Sequence, residues 1–268
     1  MPFPKNKILI QLVRFFHKLF YPKRYKVASN FSCSEKLISW GLKSILLKRI
    51  FPDNCITIEN GFIESINRYS TLSILKDGNS IYYDAGSNSD FEETLDEISE
   101  NGLTEIVNLI SMYKKFSISK YNFSRDISQT IDSEYILVID QVLNDLSVRY
   151  GLANSDSFNL MLESALLDYP NHKIVLKIHP KVQFGRKKGH FNIKEISRNS
   201  RIIIINDSSN PVNLIRSAEA IYTVTSQVGF EALIWGKKVK CFGMPFYAGS
   251  GLTIDAIEPP IFRRKLDL

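Results

Sequence analysis

The second half of the chain alternates short β-branched apolar runs with segments of helical periodicity. Tyr135–Ile139 is the strongest strand candidate, and further apolar runs lie at Lys173–Ile178, Arg201–Ile205 and Ile221–Val224. Helical stretches such as Phe158–Leu167 separate the runs. Because parallel strands need a crossover between them, such repeats favour a parallel sheet with helices on its faces. The sequence therefore predicts a doubly wound α/β domain from residue 135 onward.

The composition indicates a soluble globular protein with an acidic partner. The chain has 268 residues, of which 44% are hydrophobic and 23% are charged, as in ordinary soluble domains. A formal net charge of +6 favours a phosphorylated substrate, an anionic lipid surface or a nucleic acid. Nucleic acid is not expected as a partner, because the sequence shows no basic stripe interleaved with aromatic residues and no known nucleic-acid-binding module. Three scattered cysteines form neither a disulfide framework nor a zinc pattern, which fits a reducing cytoplasm.

Residues 1–26 predict a basic amphipathic helix. Ile8, Leu12, Phe16 and Leu19 share one face of a helical wheel, and lysine and arginine residues flank that face and follow it. Such a helix either lies on an anionic membrane surface or packs on the core of its own protein. No segment of the sequence is long and apolar enough to span a bilayer.

The region before residue 135 predicts a looser α/β arrangement. Cys55–Ile58 predicts a short buried strand. Asp77-Gly78-Asn79 has the chemistry of a hairpin turn between Leu72–Leu75 and Ile81–Tyr83. Residues 122–134 are polar and unpatterned, so we place a domain boundary there. The predicted parts are the helix at 1–26, an N-terminal α/β domain at 27–134 and a C-terminal domain at 135–268.

Polar side chains gather where the predicted strands end. They are Glu59 after Cys55–Ile58, Asp140, Gln141 and Asp145 after Tyr135–Ile139, His179 after Lys173–Ile178, and Thr225 and Ser226 after Ile221–Val224. Because ligands of parallel sheets bind beyond the carboxyl ends of the strands, these groups are expected to converge on one site. Thr225 and Ser226 also precede a helix, whose free N–H groups favour an anion such as phosphate.

Each of these residues also has a structural interpretation. Asp140 and Asp145 are common helix caps or turn formers, and Thr225 with Ser226 forms a plausible N-cap pair. His179 precedes a proline and is equally compatible with a satisfied loop histidine. The functional interpretation depends on the recurrence of polar groups at equivalent ends of neighbouring strands.

Several longer blocks carry a family resemblance. They are ILVIDQVLNDLSVRYG, VLKIHPKV, YTVTSQVGFEALIWGKKVKCFGMPFYAGSGLT and RRKL, preceded by IENGFIESINRYSTLSILKDGNSIYYDAGSNSDFEETL and SKYN. Together they cover most of Trp40 to Leu266, and the chain resembles the capsule polysaccharide β-Kdo transferases. The resemblance implies a GT-B-like fold, that is, two Rossmann-like domains with the donor site in the cleft. It also implies metal-independent, retaining transfer of Kdo from CMP-Kdo to a lipid-linked Kdo or glycan acceptor, without a cofactor.

The resemblance assigns donor binding to the C-terminal domain. Thr225 and Ser226 would hold the CMP phosphate, and Glu231 would accept hydrogen bonds from the ribose hydroxyls. His179 would contact the leaving phosphate as a donor or general acid, with a positive charge that neutralises the departing CMP. Lys177 and Gln141 complete the predicted donor-binding set.

The resemblance also suggests the groups that carry out transfer. Retention at a glycosidic centre usually takes two displacements with a carboxylate nucleophile, for which Asp145 is the candidate and Asp140 the alternative. Glu59 is the candidate acid/base for the acceptor hydroxyl. An acceptor linked to lipid, together with the helix at 1–26, predicts a cytoplasmic protein held peripherally on the inner face of the cytoplasmic membrane.

The sequence departs from the family pattern at three positions near the predicted site. Asn60 and Glu64 stand where the family has Asp and Arg, and Ser250 stands where it has Trp. The chain also ends at Leu268, soon after Arg263, so weaker bracing of the two domains is expected. These departures favour an alternative function, a catalytically weak relative that binds nucleotide sugar or lipid as a capsule assembly or export component. Capsule assembly proteins are expected partners in either case.

Overall fold

A computed structural model describes residues 37–41, 55–64, 73–94, 100–122, 131–183, 185, 187–261 and 263. The chain divides into two compact units, residues 1–58 and 59–268. The amphipathic helix predicted at 1–26 lies outside the described residues.

The described part of the first unit is built around two parallel strands. β1 (Leu37–Trp40) pairs with β2 (Cys55–Asn60), with Leu37 opposite Cys55. The predicted strand at Cys55–Ile58 is therefore confirmed and is two residues longer. Cys55, Ile56 and Thr57 are buried, so this strand contributes core, while its last residues, Glu59 and Asn60, belong to the second unit.

The second unit is a mixed α/β structure, and its elements follow the predicted alternation. They are β3 (Ile74–Asp77), α1 (Asp90–Thr94), α2 (Glu100–Phe116), β4 (Tyr135–Ile139), α3 (Leu146–Tyr150), α4 (Asp156–Asp168), β5 (Lys173–Lys177), α5 (Pro180–Gln183), α6 (Ile193–Ile196), β6 (Ile202–Ile205), α7 (Val212–Ser217), β7 (Ala220–Thr223), α8 (Gln227–Ile234), β8 (Lys238–Cys241) and β9 (Ile254–Asp255).

Strands β4 to β9 form one sheet in which each pair of neighbours runs parallel. Their order is β6-β5-β4-β7-β8-β9, so the chain builds outward from β4 in one direction and then returns to build in the other. This is the strand order of doubly wound dinucleotide-binding folds, and the predicted parallel sheet is confirmed. Such sheets bind ligands where the order reverses, which here lies between the carboxyl ends of β4 and β7.

Helices cover both faces of this sheet, which explains the unbroken apolar runs of its strands. Alternate residues of β4 point to opposite faces. Ile136 and Val138 pack with Phe158 and Met161 of α4 in one core cluster. The second cluster joins α7 and α8 to the other face through Leu137, Ile139, Val175, Leu214, Ile215, Ala232 and Val239. The carboxyl edge of the sheet therefore projects from a core that is packed on both sides.

The predicted hairpin around Asp77 is wrong. β3 forms, but Ile81–Tyr83 makes a turn, in which the Asp84 N–H donates to the Ile81 carbonyl at 2.8 Å. The cause is the Asp77 carboxylate, whose Oδ1 accepts the N–H groups of Ser80 at 2.7 Å and Asp90 at 3.3 Å. These bonds direct the chain into α1 instead of back along β3.

The segment before the predicted domain boundary is tied to the sheet that follows it. Ser119 Oγ and the Lys120 N–H donate to the Glu231 carboxylate at 2.7 and 2.9 Å. Asn210 Nδ2 donates to the Ser117 carbonyl at 3.1 Å. The compact units divide earlier, after Ile58. Separate domains at 27–134 and 135–268 stay a prediction.

We expect Phe158→Ala to destabilise the protein far more than Leu160→Ala, although both residues lie on α4. Phe158 is fully buried and its ring stacks on His190 with 3.6 Å between centroids, whereas 57% of Leu160 is exposed. Removing the buried ring should lower the free energy of unfolding by about 3–5 kcal/mol. Truncating the exposed leucine should cost less than about 0.5 kcal/mol. Urea denaturation measures both values, and equal losses would contradict the packing described for α4.

Candidate functional site

A cleft of about 580 Å³ lies at the carboxyl edge of the sheet, within the second unit. Residues that follow β4, β5 and β7 line it, as expected for a doubly wound sheet. The structure brings together all eight predicted site residues, since the lining includes Glu59, Gln141, Asp145, Lys177, His179, Thr225, Ser226 and Glu231. Their convergence is a structural finding, and the role of each residue stays a prediction.

Gln141 and Thr225 join the ends of β4 and β7 at the point where the strand order reverses. Gln141 Nε2 donates to Thr225 Oγ1 at 3.0 Å, and Gln141 Oε1 accepts the Thr225 N–H at 2.9 Å. Ser147 Oγ lies 3.2 Å from Thr225 Oγ1. Both Gln141 and Thr225 are buried, and their polar groups are satisfied mainly by each other. This pair therefore sets the spacing of the two strand ends.

Ser226 directly precedes α8 and lines the cleft. It is the N-cap residue, with an extended backbone (φ −67°, ψ 141°), and its side chain accepts the Val228 N–H at 3.3 Å. A capping hydroxyl still carries its own hydrogen, so Ser226 can donate to a ligand while it caps the helix. The helix N-terminus adds a positive potential at the same place.

Asp145 is both a helix cap and a cleft residue. Its Oδ1 accepts the N–H and the hydroxyl of Ser147, each at 3.0 Å, which caps α3. Its Oδ2 accepts no hydrogen bond from the described residues. Asn144, just before it, takes the left-handed conformation (φ 64°), which asparagine adopts more readily than most residues. The cap thus orients the carboxylate and leaves one oxygen toward the cleft.

Asp140 lies deeper than Asp145. Only 2% of it is exposed, and its Oδ1 accepts the His190 N–H at 3.1 Å. Burial raises the pKa of its carboxyl to about 6, against the opposing effect of backbone hydrogen bonds. The neighbouring Gly189 accommodates this carboxylate, since a Cβ there would come within 2.3 Å of Asp140 Oδ2. Asp140 therefore holds the loop at residues 188–190 against the loop that carries Asp145.

His179 lies in surroundings that disfavour the positive charge implied by the family resemblance. Burial lowers its pKa to about 4, and the charge of Lys181 acts in the same direction, while Asp145 opposes them. His179 Nδ1 accepts the Lys181 N–H at 3.0 Å. Since a backbone N–H can only donate, Nδ1 is unprotonated and the ring proton resides on Nε2. The ring thus offers a neutral N–H donor.

Glu231 has donors from the protein on both carboxylate oxygens. Besides Ser119 and Lys120, Gln227 Nε2 approaches its Oε1 at 3.5 Å. Only 2% of the residue is exposed, and burial raises its pKa to about 7 despite these hydrogen bonds. Its predicted contact with a ribose stays a prediction. The structure adds a second connection, in which Glu231 anchors the Ser119–Lys120 segment to α8.

Lys177 is likewise occupied by a partner within the protein. Its Nζ lies 2.7 Å from Asp207 Oδ1 and 2.5 Å from the Asp207 carbonyl oxygen. Burial lowers the pKa of this ammonium, and the bonds to Asp207 oppose that shift. Lys181, Lys187 and Lys188 also line the cleft and are exposed. The cleft therefore contains lysine side chains in addition to Lys177, the lysine predicted for the site.

Apart from Glu59, sequence reasoning missed an aromatic and acidic side of the cleft. Tyr82, Tyr83 and Tyr121 line it together with Glu59 and Glu64. Burial is the main cause of the raised pKa of all three phenols, and a hydrogen bond to Glu59 contributes for Tyr83. None of the tyrosines follows a strand end. The only available signal was that they lie in blocks that carry the family resemblance.

Glu64 occupies the position where the family pattern has arginine, and it is paired. Its carboxylate lies 3.5 Å from Lys120 Nζ. A hydrogen bond to Glu64 contributes to the raised pKa of Tyr121. The carboxylate at position 64 is therefore not isolated, because it interacts with a lysine and a tyrosine.

Two features of the described residues concern metal ions and membranes. No group of three or more histidine, cysteine, aspartate or glutamate side chains in these ranges is placed to hold a metal ion. None of the helices described here combines the length and apolar content that a bilayer crossing requires.

Comparisons with known proteins give consistent results. The family model described as "Capsule polysaccharide biosynthesis protein" matches residues 98–265. The capsule polysaccharide modification protein LipA of Neisseria meningitidis is 32% identical over 240 residues, which are 83% of this chain and 34% of LipA. The lipopolysaccharide-processing protein LpsZ of Rhizobium meliloti is 31% identical over 255 residues, covering 87% of this chain and 56% of LpsZ. The chain therefore spans less than two thirds of the length of each of these relatives.

A solved structure is similar over nearly the whole chain. It is the β-Kdo 2,4 transferase of KpsC from Thermosulfurimonas dismutans, with a TM-score of 0.78 and 31% identity, covering 99% of this chain and 86% of that one. The β-Kdo 2,7 transferase of the same KpsC follows, with a TM-score of 0.68 and 28% identity over 96% of this chain and 84% of that one.

We expect Glu231→Gln to flatten the dependence of stability on pH. The pKa of this carboxyl is about 7 when folded, against 4.5 as the ordinary value. Between these values the folded state binds more protons than the unfolded state, so the contribution of Glu231 to stability falls as pH rises. Glutamine resembles the protonated form, because its oxygen can accept the Lys120 N–H and its amide can donate to Ser119.

The measurement is the free energy of unfolding at several pH values from about 5 to about 8. Glu231→Gln should gain stability relative to the unmodified protein as pH rises, whereas the control Glu163→Gln, at an exposed position of α4, should run parallel to it. The raised pKa of Asp140 also makes stability fall as pH rises, whereas the lowered pKa of His179 makes stability rise with pH. Both residues are unchanged in each variant, so their contributions cancel in the comparison. Parallel curves for all three proteins would refute the burial effect at Glu231.

Proposed function

This chain belongs to the family of capsule polysaccharide biosynthesis proteins, and we propose that it is a retaining glycosyltransferase that uses CMP-Kdo. Similarity to solved Kdo transferases over nearly the whole chain supports transfer of Kdo. In this proposal the acceptor is a lipid-linked Kdo or glycan, and the architecture is GT-B-like with two Rossmann-like domains. Capsule assembly proteins are the proposed partners.

The observation that carries the proposal is the arrangement of Ser226, His179 and Asp145 around one cleft. Ser226 offers a hydroxyl at the N-terminus of α8, and His179 offers a neutral N–H at Nε2. Together they suit the phosphate of CMP as the leaving group. Asp145 offers a carboxylate oxygen that no described residue engages. A leaving-group site beside a free carboxylate is what retaining transfer requires.

His179 would interact with the phosphate through its Nε2–H. Burial lowers the pKa of the imidazole to about 4 and so disfavours the imidazolium. Because Nδ1 accepts the Lys181 N–H, the hydrogen that His179 can offer is the one on Nε2. The hydrogen bond from Nε2 strengthens as negative charge develops on the departing phosphate oxygen, so it stabilises the transition state more than the ground state.

The first displacement uses Asp145 as the nucleophile. The anomeric carbon of Kdo is a quaternary ketose centre next to a carboxylate, and its transition state has oxocarbenium character. The Asp145 carboxylate oxygen forms a bond to this carbon while the bond from the carbon to the phosphate oxygen breaks. The electron pair of the broken bond leaves with CMP, which Ser226 and His179 hold. The product of this step is a covalent Kdo ester of Asp145.

The second displacement uses Glu59 as the base. Glu59 Oε1 accepts the Asn60 N–H at 2.9 Å, and Tyr83 also hydrogen-bonds the carboxylate, so this side chain is oriented. Its carboxylate takes the proton of the acceptor hydroxyl while the acceptor oxygen attacks the anomeric carbon. The bond to Asp145 breaks, and its electron pair returns to that carboxylate. Two inversions give net retention.

No metal ion is needed in this proposal. The charge on the departing phosphate is met by the helix N-terminus, by His179 and by the exposed lysines of the cleft. Lys181, Lys187 and Lys188 lie within the cleft lining and supply positive charge for the Kdo carboxylate and the CMP phosphate.

The alternative function is nucleotide-sugar or lipid binding without efficient transfer. Asn60 and Glu64 favour it, because both line the cleft at positions where the resemblance implies other residues. The pairing of Glu64 with Lys120 weakens this argument, since the charge is locally compensated. The same experiment separates the two functions.

The decisive experiment is intact-protein mass spectrometry after incubation with CMP-Kdo and no acceptor. We expect the addition of one Kdo, mapped to the peptide that contains Asp145. Asp145→Asn should still bind CMP but form no adduct, because a neutral amide is a poor nucleophile of the same shape. The matched control is Asp156→Asn, an exposed carboxylate at the start of α4, which should behave as the unmodified protein does.

Each other result has a distinct meaning. An adduct on Asp140 would reassign the nucleophile to the deeper carboxylate. CMP binding without adduct or transfer would favour the alternative function. Absence of any CMP binding would refute the proposed donor.

We further propose that the basic segment at residues 1–26 holds the protein on the cytoplasmic face of an anionic membrane, near a lipid-linked acceptor. Each lysine or arginine near such a surface contributes about 1 kcal/mol, so the basic residues of this segment suffice for reversible binding. Removal of residues 1–26 should abolish cosedimentation with anionic vesicles but leave CMP binding intact. Undiminished cosedimentation of the shortened protein would refute this role for the segment.

A further inference from the structure

The backbone of Ser226 is held from both sides. Its N–H donates to Thr223 Oγ1 at 3.1 Å. Its carbonyl accepts the Tyr247 hydroxyl at 2.5 Å and the Gly229 N–H at 3.1 Å. Thr223 is fully buried and Tyr247 is 3% exposed, and neither lines the cleft. Two buried hydroxyls therefore determine the orientation of the residue that begins α8.

The approach of Tyr247 depends on the absence of a side chain at position 229. A Cβ on Gly229 would lie 2.2 Å from the Tyr247 hydroxyl oxygen and 3.0 Å from Thr223 Cγ2. Real Cβ atoms do not come so close to other heavy atoms. Glycine within a helix lowers the stability of the helix by about 1 kcal/mol relative to alanine. Helix propensity therefore does not account for Gly229 in the first turn of α8, and a contact must explain it. The contact is with these two hydroxyl-bearing residues.

The segment that carries Tyr247 is itself anchored by a buried arginine. Arg263 Nη1 donates to the carbonyls of Pro245 at 3.2 Å, Phe246 at 2.5 Å and Ala248 at 3.3 Å. Arg263 Nη2 lies 3.4 Å from Glu92 Oε1, and only 1% of the arginine side chain is exposed. The Tyr247 hydroxyl is therefore presented from a fixed backbone.

We propose that Tyr247 and Thr223 are positioning residues for the anion that binds at Ser226. By fixing the carbonyl and the N–H of Ser226, they direct its hydroxyl and the positive end of α8 toward the cleft. The ligand chemistry is a phosphate monoester, and its identification with CMP rests on the proposed function. A preorganised donor set binds an anion more tightly, because its groups do not have to be ordered on binding.

A purely structural role for Tyr247 is the competing explanation. Its ring packs against Phe246, with 5.1 Å between centroids, and belongs to the core cluster on one face of the sheet. Tyr247→Phe keeps this ring and removes only the hydroxyl, so it separates positioning from packing. Tyr135→Phe is the matched control, since the buried Tyr135 hydroxyl also donates to a backbone carbonyl, that of Leu214, at 2.9 Å. Tyr135 lies at the amino end of β4 and does not line the cleft.

The experiment compares ligand binding with stability in the full chain. Tyr247→Phe and Thr223→Val should each weaken CMP binding by roughly three- to tenfold, the effect of one hydrogen bond, in calorimetric titration. Binding of cytidine, which lacks the phosphate, should be unchanged. Tyr135→Phe should lower the unfolding midpoint as much as Tyr247→Phe does, with CMP binding unaffected. Equal loss of CMP and cytidine affinity, or unchanged CMP affinity in a folded Tyr247→Phe protein, would overturn the proposal.

A second measurement needs no ligand. Amide hydrogen exchange of a peptide spanning residues 224–230 should be faster in Tyr247→Phe and Thr223→Val than in the unmodified protein and in Tyr135→Phe. Exchange that is unchanged in both Tyr247→Phe and Thr223→Val would overturn the positioning role. If the unmodified protein does not bind CMP, the proposed function fails, and the exchange measurement alone decides whether Ser226 is held as we propose. Should Tyr247→Phe not fold, Thr223→Val carries the test through the other side of the same residue.

Discussion

The reciprocal pair of hydrogen bonds between Gln141 and Thr225 is the interaction on which the geometry of the cleft depends. It joins the ends of the two strands between which the order of the sheet reverses. A doubly wound sheet diverges there, because the crossover helices of the two halves lie on opposite faces, and a crevice opens between them. The buried amide bridges that crevice at its base. The loop that ends at Asp145 and the turn that begins α8 therefore start from fixed points.

Burial shifts the pKa of several ionisable groups of the cleft toward the neutral form. It raises the pKa of Asp140 to about 6 and that of Glu231 to about 7, while it lowers that of His179 to about 4. Each shift disfavours the charged form of a buried group. Asp140 and Asp145 also differ in geometry, since Asp140 is almost fully buried and accepts the His190 N–H, whereas Asp145 is half-buried and is oriented by Ser147. The greater exposure of Asp145 supports it as the nucleophile in the proposed mechanism, while Asp140 holds the adjoining loop.

Ser226 is where the chemistry of the cleft meets the packing behind it. On the cleft side it offers a hydroxyl at a helix N-terminus, and on the far side its backbone is bonded to Thr223 and Tyr247. Arg263 extends the same support to the backbone around Tyr247. Residues near the end of the described chain therefore act on a site formed by the sheet, although they do not reach the cleft themselves. This connection links the described C-terminal segment to the proposed donor site.

Local patterns in the sequence determined the parallel sheet and the carboxyl edge at which polar residues collect. Strand periodicity and the crossover rule suffice for that, because apolar runs buried on both faces leave little choice of topology. Six of the eight candidate residues were found in this way, since each follows a predicted strand, whereas Lys177 and Glu231 came from the family resemblance. At Asp77 the local pattern predicted the wrong structure. Its turn chemistry predicted a hairpin, but its carboxylate accepts the N–H of Asp90, which is remote in sequence, and the chain continues into α1.

Only the tertiary structure decided which of the polar groups already have partners within the protein. Lys177 pairs with Asp207, and Glu231 accepts hydrogen bonds from Ser119 and Lys120, neither of which the sequence predicted. The pKa of His179 could not be predicted from the sequence, because the burial and the charge of Lys181 that lower it to about 4 depend on the folded surroundings. Pairing and desolvation depend on residues that are distant in the sequence, so they cannot be predicted from the spacing of residues along the chain.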